Sequence, residues 1–200
     1  GRQVPDPVAG MLRVFRMAGA ALAVESRAAV AGIPCNTFHA PPILDRFEGA
    51  LQAEGLPIRV VHMLRETAEM IGNLTSRTTR VGVLSTTGTR RTGVYASTLA
   101  EHGLELLEIP EEHQDALHEA IYHREWGLKA LSGPDPRSVE RVTRFARMLV
   151  DRGAEVLVLG CTELPFALAE GSFGGVPVVD PVTALARALV RHVDSSALAH

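Results

Sequence analysis

Two hundred residues are enough for one domain, or two small ones, with a real hydrophobic core. An apolar fraction of 46% and a net charge of −3 describe an ordinary globular chain, with neither the basic excess of a nucleic-acid binder nor the acidic run of a disordered tail. Charges interrupt the apolar stretches well short of a membrane span, no signal-peptide pattern opens the sequence, and two cysteines suit a reducing cytoplasm better than a disulfide scaffold.

In chain order, residues 1–7 read as a loop, with Asp6 as an N-cap and Pro7 at the first helical position. No initiator Met and no strand precede it, so the expectation is that the natural beginning is missing. Val8, Met11, Leu12, Val14, Phe15 and Ala18 fall at helical spacing and predict a helix over 8–23. A short buried strand follows over 28–33, then a helix over 41–54 closed by Gly55 and a strand over 58–63. A helix over 66–74 runs up to a basic turn at Arg77 and Arg80. Residues 81–85 are the cleanest strand in the sequence, delivering Thr86-Thr87-Gly88-Thr89 and a helix from about 91 to 102. The rest reads as a strand over 104–109, helices over 111–131 and 134–153, strands over 155–159 and 177–179, and a closing helix over 181–193. Gly153 stands where a helix C′ residue belongs. Strands alternating with helices predict an α/β fold with parallel sheets covered on both faces. Ligands in such folds bind beyond the carboxyl ends of the strands.

Three segments sit at such ends: Ile33-Pro34-Cys35-Asn36-Thr37, the Thr86–Thr89 loop, and Leu159-Gly160-Cys161-Thr162-Glu163. They hold the only two cysteines. Each thiol is followed by polar residues and helix-like sequence, so partial stabilisation of a thiolate by a helix start is expected. One thiolate and one thiol make a base and an acid, the pair that removes and returns a proton at carbon. A single cysteine is as well explained by burial, since free cysteine is among the most buried residue types; two in matched settings favour chemistry. A disulfide between them is the minor option, and a metal would need further ligands, with only His39 close by in sequence.

The Thr86–Thr89 loop offers hydroxyls and backbone N–H groups to a carboxylate or phosphate. Alone it is equally a plain helix cap, and it lacks the lysine and spacing of a P-loop. Asn36, Thr37 and Thr162 pose the same choice. His113, His118 and His123 recur at intervals of five, which spreads them around a helix and predicts solvated side chains. Lys129 is the sole lysine among twenty basic residues, and on its chemistry alone reads as a surface residue.

Together these segments resemble the aspartate/glutamate racemase family, specifically its cofactor-independent amino-acid racemases. The matching pieces are the Cys35 segment with His39, Val83-Leu84-Ser85-Thr86-Thr87-Gly88-Thr89, the stretch from Gln114 to Tyr122 with Gly127-Leu128-Lys129, Leu159-Gly160-Cys161-Thr162-Glu163-Leu164-Pro165, and Val179-Asp180-Pro181. The similarity runs in order over nearly the whole chain. It implies two similar Rossmann-like lobes, residues 1–64 with 180–200 and residues 65–179, with the substrate in the cleft between them. Cys35 and Cys161 would be the catalytic pair, and Asn36, Thr37, Thr87 and Thr162 would hold the α-carboxylate and amino group. Lys129 would meet the distal carboxylate, with Thr86, Thr89 and Glu163 completing the contacts. Glu163 stands where glutamate racemases carry a histidine, which points to the aspartate-type branch.

Two departures are visible. The family opens with a strand, a Gly-rich loop, a helix, a second strand and an arginine-bearing loop, and nothing here matches that unit, so the first lobe is expected to be incomplete. Glu25-Ser26-Arg27 reads as an insertion-like turn. The implied activity is interconversion of L- and D-aspartate, or glutamate, by two-base proton transfer at Cα with no cofactor and no metal. The implied setting is a cytoplasmic homodimer acting on a small acidic amino acid, with no nucleic acid or membrane partner. Hydantoin racemisation, maleate isomerisation, arylmalonate decarboxylation and a non-catalytic carboxylate-binding role are the alternatives.

Overall fold

The computed structural model describes residues 6–24, 29–74, 79–130, 133–169 and 171–193. The turn at Glu25-Ser26-Arg27, Arg77 and the first five residues lie outside them. Helix α1 (Pro7–Val24) leads into β1 (Ala29–Gly32), α2 (Pro41–Ala53), β2 (Ile58–Val61) and α3 (Met63–Leu74). Then come β3 (Arg80–Ser85), α4 (Thr87–Thr92), α5 (Val94–Glu101), β4 (Glu105–Leu107), α6 (Gln114–Tyr122) and α7 (Pro136–Asp151). The chain finishes with β5 (Val156–Gly160), β6 (Gly171–Phe173), β7 (Val176–Val179) and α8 (Pro181–Val193). Asp6 caps α1 as predicted, accepting from the Val8 N–H at 3.0 Å.

Two sheets result, both dominated by parallel pairing. β1 pairs with β2 in parallel, Ala29 opposite Ile58 through Gly32 opposite Val61. The larger sheet has the order β4-β3-β5-β7-β6, parallel except for the antiparallel β6. At the centre, β5 is buried along its whole length. Its side chains alternate faces: Leu157 and Leu159 join the cluster under α6 and α7 with Phe145 and Leu149, while Val156 and Val158 join Val81, Ile71 and Leu185 on the other side. That second cluster also takes in Val61, Met63 and Leu64, so α3 and α8 seal the two sheets together. A third cluster packs the Val8, Leu12 and Phe15 face of α1 onto Leu44, Phe47 and Leu51 of α2. Fully buried Phe47 takes the ring edges of Phe15 and Phe38 at centroid distances of 4.9 and 5.4 Å. Among the described residues, no helix is long and apolar enough to cross a membrane.

Three elements depart from the sequence reading. The helix predicted from about 91 begins at Thr87 and breaks at Gly93, whose φ of 67° is left-handed and ends α4 before α5 starts. The helix predicted over 111–131 is confined to Gln114–Tyr122; beyond it the chain folds back, with the Leu128 and Lys129 N–H groups donating to the carbonyls of Ala120 and Ile121, both at 3.0 Å. Strand β6, three largely exposed residues joined to β7 by Gly174-Gly175, was not predicted, because so short an edge strand carries no hydrophobic alternation.

Beside the first sheet lies a histidine pair. His39 is buried and donates Nε2–H to the Ile33 carbonyl at 2.9 Å, and its ring lies 4.7 Å from that of His62. Burial, then the neighbouring charges of His39 and Arg65, push the His62 pKa down to about 4. An unfolded histidine titrates near ~6.5, so between that pH and 4 the unfolded chain binds more protons than the folded one. The His62 contribution to stability is therefore expected to be constant above about pH 6.5 and to fall as the pH drops towards 4. Urea midpoints at pH 7.5, 6 and 5 test this, and His62→Gln should flatten the profile.

Candidate active site

Each strand end delivers one part of the site. After buried Ile33 the chain turns sharply, the Cys35 N–H donating to the Ile33 carbonyl at 2.8 Å, and a short 3₁₀ turn (Asn36–His39) follows. Cys35 is exposed at this turn. Asn36 is buried, and its Oδ1 accepts from the Tyr95 hydroxyl at 2.6 Å, tying the first sheet to α5 beside the second. A row of hydroxyls crosses the same gap: Thr37 Oγ1 lies 2.7 Å from Thr89 Oγ1, which lies 3.1 Å from Thr86 Oγ1. Thr86 also caps α4 by accepting from the Thr89 N–H. Thr87 differs from its neighbours, with a buried hydroxyl that has no hydrogen-bond partner and an N–H directed at His118 Nδ1.

Opposite, β5 ends at Gly160 and delivers Cys161, a free and buried thiol. Its Sγ–H donates to Glu163 Oε2 at 3.0 Å, and the Thr162 hydroxyl donates to the same oxygen at 2.8 Å. The other oxygen of Glu163 accepts from Lys129 Nζ at 2.6 Å. Lys129 reaches this position because the chain folds back after α6, and Gly127 makes that return possible. A Cβ on Gly127 would lie 2.4 and 2.6 Å from the backbone N and O of His123, which cannot yield as a flexible side chain could. Gly127→Ala is expected to destabilise the chain by ~1–3 kcal/mol, a thermal melting shift of roughly 2–4 °C per kcal/mol, and to displace Lys129.

The charges settle each other. Burial first, and then the hydrogen bond to Glu163, push the Cys161 pKa up to about 12. Burial opposes the Glu163 carboxylate, yet hydrogen bonds from Lys129, Cys161 and Thr162 together hold its pKa below the ordinary value. Burial likewise opposes the Lys129 ammonium, and the Glu163 contact outweighs it. Cys161 is thus a protonated thiol at neutral pH. This corrects the expectation of a helix-stabilised thiolate at Cys161: the turn after it is a 3₁₀ segment of three residues, too short to carry a useful dipole.

These side chains converge. Cys35, Asn36, Thr37, Thr86, Thr89, Tyr122, Lys129, Gly160, Cys161 and Thr162 line one narrow pocket of about 50 Å³. That is far smaller than ordinary ligand sites of roughly 300–1,000 Å³, so the lining side chains would have to part to admit a substrate. Two larger grooves exist, one between α3 and α8 and one beside β2, but neither contains a thiol. Of the residues singled out in the sequence, Thr87 and Glu163 stand just behind this lining, each bonded to its neighbours.

Tyr122 was missed. Its ring lies 5.2 Å from Lys129 Nζ and stacks on His118 at 4.8 Å. The signal was present: residues 118 and 122 are four apart and share one helix face. The expectation that the three spaced histidines are solvated is overturned by ring contacts, His113 against Phe145, His118 against Tyr122 and His123 against Trp126.

Two parallel-sheet layers sealed by shared helices, with a thiol from each strand end entering one polar pocket, define an α/β protein of the two-lobed kind. The family model described as Asp/Glu/Hydantoin racemase matches residues 3–189. The chain belongs to that family. A glutamate racemase of Pseudomonas aeruginosa is 32% identical over 126 residues, 62% of this chain and 44% of that one. This chain thus spans less than half the length of that curated relative. Among solved structures, an aspartate racemase homologue from Pyrococcus horikoshii is 26% identical at a TM-score of 0.67, covering 94% of this chain and 76% of the other. The aspartate racemase of Picrophilus torridus shares the fold at a TM-score of 0.73 and 22% identity, covering 96% and 71%.

Proposed function

We propose that the chain inverts an acidic amino acid at Cα, with Cys35 and Cys161 as paired base and acid. The observation that carries this reading is the entry of both strand-end thiols into one small pocket that also holds Lys129. One thiolate takes the Cα proton while the opposite thiol returns a proton to the other face; reversing the direction exchanges their roles. The Cα–H bond is a very weak acid, so charge developing on the α-carboxylate has to be met by preorganised donors. The Thr37 and Thr162 hydroxyls line the pocket and would turn from Thr89 and Glu163 to the substrate, while Tyr95 fixes the orientation of Asn36. Lys129 would pair with the distal carboxylate, which favours an acidic side chain over a hydantoin. Glu163, where glutamate racemases carry a histidine, favours aspartate over glutamate.

Deuterium entry at Cα tests the reading. Incubating the chain with L- or D-aspartate in D₂O is expected to give inversion with deuterium at Cα of the product. A folded chain that exchanges neither aspartate nor glutamate would rule it out. Decarboxylation needs a single proton donor, so loss of CO₂ from a malonate without any inversion would favour that alternative.

A further inference from the structure

Glu163 stands outside the pocket lining but holds three of the groups that form it. Its two carboxylate oxygens take the Lys129 ammonium, the Thr162 hydroxyl and the Cys161 thiol at 2.6, 2.8 and 3.0 Å. Cys161 and Thr162 immediately precede Glu163, Lys129 reaches it from a distant part of the chain, and all three line the pocket. Any substrate carboxylate directed at Lys129 meets an ammonium already neutralised by the protein. We propose that Glu163 is an internal mimic of the substrate's distal carboxylate, an autoinhibitory latch that an acidic ligand must displace from Lys129. The inference rests on the reading of Lys129 as the distal-carboxylate contact.

The exchange has two consequences. The site is screened against monocarboxylic amino acids, which have nothing to offer Lys129 in place of Glu163 and so leave the latch closed. Displacement also strips Glu163 of its counter-ion while its bond from Cys161 Sγ–H remains. A carboxylate losing its cation becomes more basic, and so a better acceptor for the thiol proton that Cys161 must lose when it acts as the base. Binding of the acidic side chain would thereby be coupled to readiness of the buried thiol. The transfer is balanced within the protein: the S–H bond breaks, an O–H bond forms on Oε2, and the electron pair stays on sulfur.

Binding tests the latch without turnover. Succinate, a dicarboxylate with no α-amino group and no inversion to undergo, is titrated by calorimetry against the wild-type chain, Glu163→Gln, Lys129→Gln and the double variant, with butyrate as the monocarboxylate control. Glutamine keeps the shape and removes the charge, so Glu163→Gln is expected to bind succinate about tenfold more tightly, the scale of one charged hydrogen bond released. Lys129→Gln should weaken succinate binding, and the gain from Glu163→Gln should vanish in its background. Butyrate should show no such gain. A merely structural role for Glu163 would weaken binding on substitution, so a gain is diagnostic. If wild type binds succinate and Glu163→Gln binds it no better, the latch is wrong and the assigned pocket survives. If neither binds succinate while both fold, by circular dichroism, the reading of Lys129 fails and takes the latch with it.

Discussion

Iodoacetamide at pH 8 is expected to modify Cys161 at least about twentyfold more slowly than an ordinary exposed thiol. With its pKa pushed up to about 12, the thiolate fraction at that pH falls by ~10³ relative to a reference thiol near ~8.5. A more basic thiolate is intrinsically more nucleophilic, which returns roughly 10- to 50-fold, and burial of the sulfur removes some of that again. The exposed Cys35 provides the internal comparison, so peptide mass spectrometry of a partially alkylated sample reads both rates at once. Neighbouring charges set the sign of two further changes. Glu163→Gln removes a hydrogen bond and a charge that both raise the thiol pKa, and should speed labelling of Cys161; Lys129→Met removes a cation that lowers it, and should slow labelling. Equal labelling of Cys35 and Cys161 in the folded chain would contradict the buried, carboxylate-bonded thiol.

The alternating elements were legible because their signals are local. Val81, Val83 and Leu84 read as a strand from the chain itself, as did the Val8, Leu12 and Phe15 stripe, and both thiols were found from the short polar segments that end apolar runs. What was not legible depends on pairs distant in the chain. Cys35 and Cys161 look equivalent in sequence, yet one is exposed and the other buried against Glu163, because only the second follows a strand covered on both faces. The partner of Lys129 lies thirty-four positions away. No periodicity reports that contact, and only the chain reversal around Gly127 creates it. The long helix predicted through residue 131 failed for the same reason: its apolar spacing continues, but Leu128 is buried by folding back onto α6 rather than by extending it.

Under the proposed inversion, the difference between the thiols would have a mechanistic meaning. Two-base inversion needs one thiol protonated and the other not, and an identical pair would leave that choice to chance. Burial and Glu163 assign the resting proton to Cys161. A racemisation has an equilibrium constant of unity, so kcat/KM must be the same in both directions at any pH. The asymmetry is therefore expected in kcat and KM taken separately, with the enantiomer deprotonated by Cys161 depending on proton uptake by Glu163. Tyr95 and Asn36 hold the facing turn at fixed geometry across the gap.

Cys35→Ser and Cys161→Ser are each expected to lower inversion by ~10²–10⁴-fold, the usual contribution of a positioned proton-transfer group. Serine nearly preserves the side-chain volume, but its hydroxyl is far too weak an acid to supply an anionic base at neutral pH. The two losses should differ in what remains. With Cys161 replaced, Cys35 can still remove a proton on its own face, exchange it with solvent and return it there. One enantiomer then acquires deuterium at Cα without inverting, and the other stays unlabelled. With Cys35 replaced, the residual exchange should pass to the opposite enantiomer, more slowly, because the remaining thiol is the buried one held near a pKa of about 12. NMR of each aspartate enantiomer in D₂O distinguishes these patterns. If both variants label the same enantiomer, the thiols do not face opposite sides of Cα. If either variant inverts aspartate at the wild-type rate, its cysteine is not one of the two bases.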